Sequence, residues 1–317
     1  MFSSFIKKKM PGLYDELQHL KRIQAINRIN RIKLIPIEQY PKLCAKLYKE
    51  KVGHELNWNQ LERYTEKMQW EKLFDCNPLK VVLADKIKVR DWVSNRIGKE
   101  YLIPLLGVWN NTEEIDFDLL PKSYVLKTNH GSGTNIIVKD KDKIIQKRVK
   151  RILDDWMNID YAFYTGFEMH YSLIQRKILA EKYIETNTGE LQDYKFLCFN
   201  GIPYFCWVDI GRYSNHTRNV YNLNWELQPW NQERYSIYKG IIERPINFDK
   251  MIQIAKILCK EFSHVRVDLY NVNGKIYFGE MTFTNGCGFD RIIPDKYDFD
   301  LGKLWDVDTT NQTTILS

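Results

Sequence analysis

Residues 194–210 read YKFLCFNGIPYFCWVDI, two apolar-rich runs joined by Asn200-Gly201. Asn-Gly supplies the two positive-φ positions of a type I′ turn, so this stretch predicts a tight antiparallel hairpin. A second pair, HVRVDLY (264–270) and KIYFGEM (275–281), flanks Asn273-Gly274, and a third, SYVLKT (123–128) and IIV (136–138), flanks the turn-like NHGSGTN. ILAEKYIE (178–185) reads as a further strand. Between these lie helical periodicities. One runs to Ile97, with Asp85 as N-cap, Lys86 at the first helical position and Gly98 as the stop; others cover 141–157, 248–262 (capped by Asn247), 38–75 and 13–33. Hairpins alternating with helices predict an α+β chain with mostly antiparallel sheets and exclude a doubly wound parallel sheet.

A chain of 317 residues, 44% apolar and 27% charged, can bury the cores of about two domains. The net charge of +7 is spread along the chain, which fits an enzyme handling anionic small molecules and gives no reason to expect a nucleic-acid partner. The six cysteines form no C-x-x-C pair and the six histidines no H-E-x-x-H, so reduced thiols are expected and a zinc site is not. The start has no signal-peptide h-region, and the longest apolar run, Tyr101 to Trp109, falls far short of the ~20 residues of a spanning helix; a cytoplasmic protein is expected. Residues 13–33 set Leu17, Leu20, Ile23, Ile26, Ile29 and Ile32 among Lys21, Arg22, Arg28, Arg31 and Lys33. They read as a packed helix with a solvated basic face, or as a peripheral contact with an anionic membrane or a lipid-linked acceptor.

The candidate chemistry lies on the strands. In VRVDLY, Val265, Val267 and Leu269 point one way and Arg266, Asp268 and Tyr270 the other. A three-residue loop at Asn273–Lys275 would set Asp268 opposite Glu280, and facing carboxylates repel unless a hard cation such as Mg²⁺ offsets them; otherwise one of them simply faces water. KTNHGSGTN (127–135) is neither a Walker A loop nor G-x-G-x-x-G, yet its glycines and amides suit a phosphate cover, with Lys127 as a point charge. DYKF places Asp193 and Lys195 on one strand face, and RYSNHTRN carries Arg212, His216 and Arg218; either segment suits an anion clamp or a plain charged surface.

Taken in order, NPLKVVLADKIKVRDWV, IGKEYLIPLLGVW, YVLKTNHGSGTN, AEKYI, DYKFLCFNG, VRVDLY and GEMTFTNGCGFD resemble the TupA-like amidoligases of polysaccharide biosynthesis, an ATP-grasp family, over about residues 36 to 305. The resemblance implies two α+β lobes clasping a nucleotide, at 79–184 and 185–317, after an N-terminal helical region at 1–78. It implies ATP and Mg²⁺, and an amide-forming reaction between a small-molecule carboxylate and an amine, the former a uronic acid or amino acid of a surface polysaccharide. Carried over residue by residue, Lys86 and Lys127 match the lysines that hold the ATP phosphates, and the loop His130, Gly131, Ser132, Gly133 to Asn135 matches the cover over them. Glu181, Lys182, Tyr183 and Ile184 match the strand that reads adenine, and Asp193 the acid on the ribose. Lys195 matches a basic residue facing the phosphates, Arg218 resembles the later basic residue near the transferred phosphoryl group, and Arg266 matches the arginine that steadies the acyl phosphate. Asp268 and Glu280 match the Mg²⁺ ligands. Where many ATP-grasp enzymes have Glu-x-Asn, this chain has Glu280-Met281-Thr282, so Thr282 stands at a ligand position and Asn285 is a second candidate. The rival reading is a metal-dependent glycosyltransferase using one of the Asp-x-Asp matches at 116–118, 140–142, 298–300 or 306–308.

Overall fold

The computed structural model describes residues 10–186, 191–211 and 216–309. Helices α1 (Pro11–Ile32), α2 (Tyr40–Val52), α3 (Tyr64–Phe74), α4 (Pro78–Ala84) and α5 (Val89–Ile97) open the chain. A four-stranded antiparallel sheet follows, in the order β1 (Leu105–Trp109), β4 (Ile178–Lys182), β2 (Tyr124–Thr128), β3 (Asn135–Val138). Helix α6 (Gln146–Asn158) covers its inner face, where Tyr124, Leu126, Val138, Ile178 and Ala180 meet Val149 and Leu153. The alternate residues of these strands, Val125, Lys127 and Glu181, line cavities on the other face. Helix α7 (Tyr161–Thr165) lies between β3 and β4 in the chain.

The second sheet has five antiparallel strands, ordered β10 (Lys275–Thr282), β9 (His264–Val272), β5 (Asp193–Phe199), β6 (Ile202–Ile210), β7 (Thr217–Asn222). Helix α8 (Phe248–Cys259) packs Phe248, Met251, Ile254 and Leu258 on Phe196, Cys206, Val265, Val267 and Leu269. The opposite face is divided. At one end Leu197, Phe199, Trp207 and Val220 pack with Tyr64 and Met68 of α3 and with Trp305; at the other, Asp193, Lys195, Asp209, Arg266 and Asp268 form a polar cluster. The short pair β8 (Asn231–Gln232) and β11 (Ile292–Ile293) and helix α9 (Lys296–Lys303) complete the lobe. The helices do not follow chain order: Leu83 of α4, with Val89 and Val93 of α5, packs into the core under the second sheet, although 79–184 assigned them to the first lobe.

Several boundaries differ from the periodicity, each for a local reason. Helix α5 begins at Val89, because the Asp85 carboxylate accepts from Ile87 N (2.9 Å) and Lys88 N (3.4 Å) and holds Lys86 in a turn outside the helix. Helix α6 begins at Gln146 after a 3₁₀ turn at Lys141–Lys143, where the Asp140 carboxylate accepts from Asp142 N. Asn247 sits at φ 66° and makes no side-chain cap; its amide donates to Gly274 O (2.8 Å). Strand β4 stops at Lys182. Between α2 and α3, residues 53–63 are irregular.

Helix α1 packs apolar side chains in its C-terminal half, where Ile29 is buried and Ile26 and Ile32 lie beside it; Leu13, Leu17, Leu20 and Ile23 are exposed, and the N-terminal half is held by ion pairs of Asp15 with Arg148 (2.7 Å) and Glu16 with Arg151 (2.9 Å). Part of the basic face is turned inward, with Arg22 Nε on Asp155 (2.7 Å) and Lys33 on Asp160 (2.8 Å). Among the described residues no helix is long and apolar enough to cross a membrane.

The Asn200-Gly201 turn has φ 49° and 73°, and a Cβ built on Gly201 falls 2.8 Å from the Lys260 carbonyl oxygen, which is backbone and cannot swing aside. Gly201→Ala is therefore expected to destabilise the protein by about 2 kcal/mol. A denaturant midpoint equal to the wild type's would refute that.

Candidate active site

The opposition of Asp268 and Glu280 is present, but the route to it differs from the one expected. The loop has two residues, Asn273 and Gly274, so Lys275 pairs with Val272 and Phe278 with Leu269. A β-bulge at Gly279 then adds one residue, and Glu280 pairs with Asp268. Gly279 suits the bulge because a Cβ there would lie 3.0 Å from Asp268 O. The β5–β6 hairpin repeats the device. Its register shifts at Tyr204, between Leu197↔Phe205 and Cys198↔Pro203, so that Asp193 faces Asp209. Lys195 stands opposite Asp268 on the neighbouring strand.

Asp268 is the hub. It is 1% exposed. Its Oδ1 accepts from Arg266 Nε (2.6 Å), and its Oδ2 from Arg266 Nη2 (2.6 Å) and Lys195 Nζ (2.8 Å). Arg266 Nη2 also reaches Glu280 Oε1 and Thr282 Oγ1, both at 3.0 Å, and its Nη1 reaches Asn285 Oδ1 (2.9 Å). Burial disfavours the charge on Lys195, but Asp193, Asp268 and Asp209 outweigh it and hold its pKa above the usual lysine value. Burial likewise opposes the Arg266 charge and is outweighed by Asp268 and Glu280. For Asp268 burial wins, and its pKa is raised despite Arg266 and Lys195. Arg218 forms a two-pronged pair with Asp209 (2.5 and 2.8 Å), donates to Gln232 and lies over the rings of Trp207 and Tyr235. Burial would raise the Asp209 pKa, but Arg218 and Lys195 drive it far below the usual range.

From the other sheet, Glu181 accepts from Lys127 Nζ (2.6 Å) and Arg90 Nη1 (2.9 Å). Lys86 donates to Gly131 O, and burial lowers its pKa. The 129–134 loop is tied down at several points: Asn129 pairs with the backbone of Lys177 and Gln175, Tyr161 donates to Ser132 O, and Thr128 bonds Thr134.

Lys86, Lys127, Ser132, Gly133, Glu181, Asp193, Asp268 and Glu280 all line one cavity of about 40 Å³ between the sheets. On one side it adjoins a cavity of about 470 Å³, which shares Lys127, Asn135, Glu181 and Tyr270 with it and whose other walls include Val125, Ile137, Lys182, Tyr183, Ile184 and Leu191. On the other it adjoins a cavity of about 950 Å³, which shares Ser132 and Glu280 and holds Lys195, Arg218, Arg266 and Thr282.

Two expectations fail. His130 does not face the cleft: it is buried, donates from Nε2 to Ile159 O (3.2 Å) and lines none of these cavities, because the loop turns it into the core beside α7. Asn285 is likewise buried away from these cavities, its oxygen accepting from Arg266 Nη1 (2.9 Å) and its amide donating to the Tyr64 hydroxyl (2.5 Å). Arg212 lies outside the described residues. Asp209, Arg90 and Glu168 are site residues that periodicity missed; only the bulge-shifted register brings Asp209 to the cluster.

Asp268 and Glu280 offer paired oxygen donors with Thr282 beside them, donor chemistry that fits a hard divalent cation. Among the described residues no group of three or more His, Cys, Asp or Glu side chains would hold a metal alone, so phosphate or water oxygens would have to complete the shell. The Asp-x-Asp aspartates are committed elsewhere. Asp116 and Asp140 cap local turns, Asp298 binds Thr65 N and Oγ1, and none of them lines these cavities.

A family model described as TupA-like ATPgrasp matches residues 66–306. Solved structures similar to the chain include D-alanine–D-alanine ligase from Bacillus anthracis (18% identity, 64% of this chain and 56% of that one, TM-score 0.38). Others are D-alanine–D-alanine ligase from Helicobacter pylori (12%, 71% and 62%, 0.36) and N5-carboxyaminoimidazole synthase from Aspergillus clavatus (13%, 64% and 44%, 0.34). The chain thus spans between 44% and 62% of the length of these proteins. Among curated proteins none matches.

Burial, aided by the Arg176 charge, lowers the His130 pKa to about 4, whereas an unfolded histidine titrates near ~6.5. The unfolded state therefore takes up the extra proton first, and stability falls as pH drops from 6.5 to 4. His130→Gln keeps a donor for Ile159 O and is expected to remove up to about 3 kcal/mol of that loss at pH 4. Urea midpoints at pH 7 and pH 4.5 check this; identical pH dependence in both proteins would count against it.

Proposed function

The chain belongs to the TupA-like ATP-grasp family, and from that membership we propose that it is an ATP-dependent carboxylate–amine ligase working through an acyl phosphate. The observation that carries the reading is the single run of three cavities. The apolar pocket under Val125, Ile137, Tyr183 and Ile184 suits adenine, and the narrow polar cavity suits the phosphates. The wide one beyond Glu280 suits the two co-substrates.

In this reading Asp193 takes the ribose, while Lys86, Lys127 and the Gly131–Gly133 backbone hold the phosphates. Mg²⁺ held by Asp268 and Glu280 would neutralise phosphate charge. The γ-phosphorus bonds to a substrate carboxylate oxygen as its bond to the β-phosphate oxygen breaks, releasing ADP. The amine nitrogen then bonds to the acyl carbon, the carbon–oxygen bond to phosphate breaks, and phosphate and a proton leave. Lys195, Arg218 and Arg266 are cations held in place by carboxylates, so they offset the charge spreading over the phosphoryl oxygens without having to reorganise. The finer proposal is that the acid is a uronic acid or amino acid of a surface polysaccharide. A lipid-linked acceptor would approach along α1, whose Leu13, Leu17, Leu20 and Ile23 are exposed.

The test is ADP release from MgATP across a panel of sugar acids, amino acids and amines. Asp268→Asn should lower kcat/KM by at least ~10³-fold, a loss on the order of several kcal/mol of transition-state stabilisation. No ADP release with any acid–amine pair, or binding of a UDP-sugar without binding of ATP, would overturn the reading.

A further inference from the structure

One buried carboxylate has no task in the reaction above. Glu168 follows α7, is 5% exposed and lines the 950 Å³ cavity. Its two oxygens accept from hydroxyls, Oε1 from Thr284 and Oε2 from Thr165, and it makes no ion pair among the described residues. Lys72 is the nearby cation, but its ammonium donates to Cys287 O (2.9 Å) and sits over the Phe289 ring at 3.9 Å. Charges removed from water are normally paired; this one has neutral donors and an open cavity in front of it.

Beside Glu168 the wall of that cavity is aromatic, with Arg28 fixed on the Tyr164 carbonyl at its edge. Tyr161, Tyr164 and Tyr171 all line it, with ring centroids 5.6 Å apart for Tyr161–Tyr164 and 5.3 Å for the edge-on Tyr161–Tyr171 pair. Tyrosine faces attract cations, most strongly where water is excluded. Burial is the main cause of the raised Tyr171 pKa, and Glu168 and Glu280 both add to it, so Tyr171 lies near the acids of both regions. Glu168 itself is pushed up by burial against the pull of its hydroxyl partners, the Lys72 charge and the Cys287 thiol, and an arriving cation in the cavity would add to that pull.

We propose that Glu168 with Tyr161, Tyr164 and Tyr171 is the receptor for the charged ammonium group of the amine co-substrate. The proposal rests on the ligase reading and concerns only how the amine is recognised; the bound ammonium gives one proton to water before its nitrogen attacks the acyl carbon, and the second leaves with phosphate. A carboxylate held by two hydroxyls, walled by tyrosine rings and facing the cavity that also holds Lys195 and Arg266, selects a cationic amine over the anionic acid. The acid is drawn to Lys195, Arg218 and Arg266, whose cations line the same cavity.

The test compares nucleophiles at pH 8 in the presence of MgATP and each acid of the panel. Hydroxylamine is uncharged there and intercepts the acyl phosphate as a hydroxamate without needing an ammonium receptor. Glycine, L-alanine, L-lysine, ethanolamine and glucosamine are the ammonium-bearing probes. Glu168→Gln is expected to raise KM for the preferred ammonium probe at least tenfold and to lower the ratio of amide to hydroxamate by a similar factor. Glu168→Asp should recover part of both. Tyr164 is 39% exposed and tolerates replacement, so Tyr164→Leu serves as the second variant and should raise the same KM several-fold. Equal losses with hydroxylamine and with the ammonium probes would mean a structural role and overturn the proposal. So would an unchanged KM in Glu168→Gln, or a wild type that uses no ammonium probe while making hydroxamate. Absence of hydroxamate with every acid would instead sink the ligase reading, and this proposal with it.

Discussion

Everything in the cleft is organised around the Asp268 carboxylate, which is buried and gripped by the Arg266 fork on one side and Lys195 on the other. Taking such charges out of water is expensive, and their mutual attraction barely repays it. What the arrangement secures is geometry. Removing one member of such a cluster strands another and costs ~3–5 kcal/mol, so no side chain in it drifts independently. Arg266 extends the same hold to Glu280, Thr282 and Asn285, and Asp209 fixes Arg218 in the same way. The cations that would meet phosphate are therefore aimed by carboxylates within the protein and do not have to be recruited by a ligand.

The strands behind this cluster were largely legible. Period-two alternation sorted Val265, Val267 and Leu269 to the core and Arg266 and Asp268 to the site, and both Asn-Gly turns lie where the dipeptides fall. What alternation does not reveal is a bulge. A two-residue turn followed by an unbroken ladder would set Glu280 one residue out of step with Asp268, and Asp209 out of step with Asp193. The bulges at Gly279 and Tyr204 correct both registers. The expected pairing of Asp268 with Glu280 was reached through a three-residue loop, and the chain reaches it through a bulge next to the site. Asp209 had no such signal, since no local pattern says that a ladder will slip at Tyr204.

The helical boundaries and the loop were less legible because side chains compete with the backbone there. Asp85 spends its carboxylate on the turn that lifts Lys86 out of α5, and Asn129 ties its loop to the start of β4. His130 is drawn into the core because the loop is pinned on either side of it. Long-range partnerships such as Arg90 with Glu181, 91 positions apart, leave no trace in spacing.

The family match begins at residue 66, and the residues proposed to face the nucleotide all fall within it. The wide cavity does not: Lys21, Gln24, Ala25 and Arg28 of α1 and Lys51 of α2 form part of its wall, and Arg28 is fixed there by the Tyr164 carbonyl (2.9 Å). Helix α1 is held by Ile29 and by the ion pairs of Asp15, Glu16, Arg22 and Lys33, which presents Lys21 and Arg28 toward the cavity while its leucines remain outside. Pieces of the molecule with different constraints thus meet in one space. The sheet strands carry a charge cluster whose members cannot change singly, whereas the helical wall is bound by a few peripheral contacts and can vary residue by residue. Under the proposed reaction, discrimination among co-substrates is most easily tuned on that wall, and the chemistry they undergo is set at Asp268.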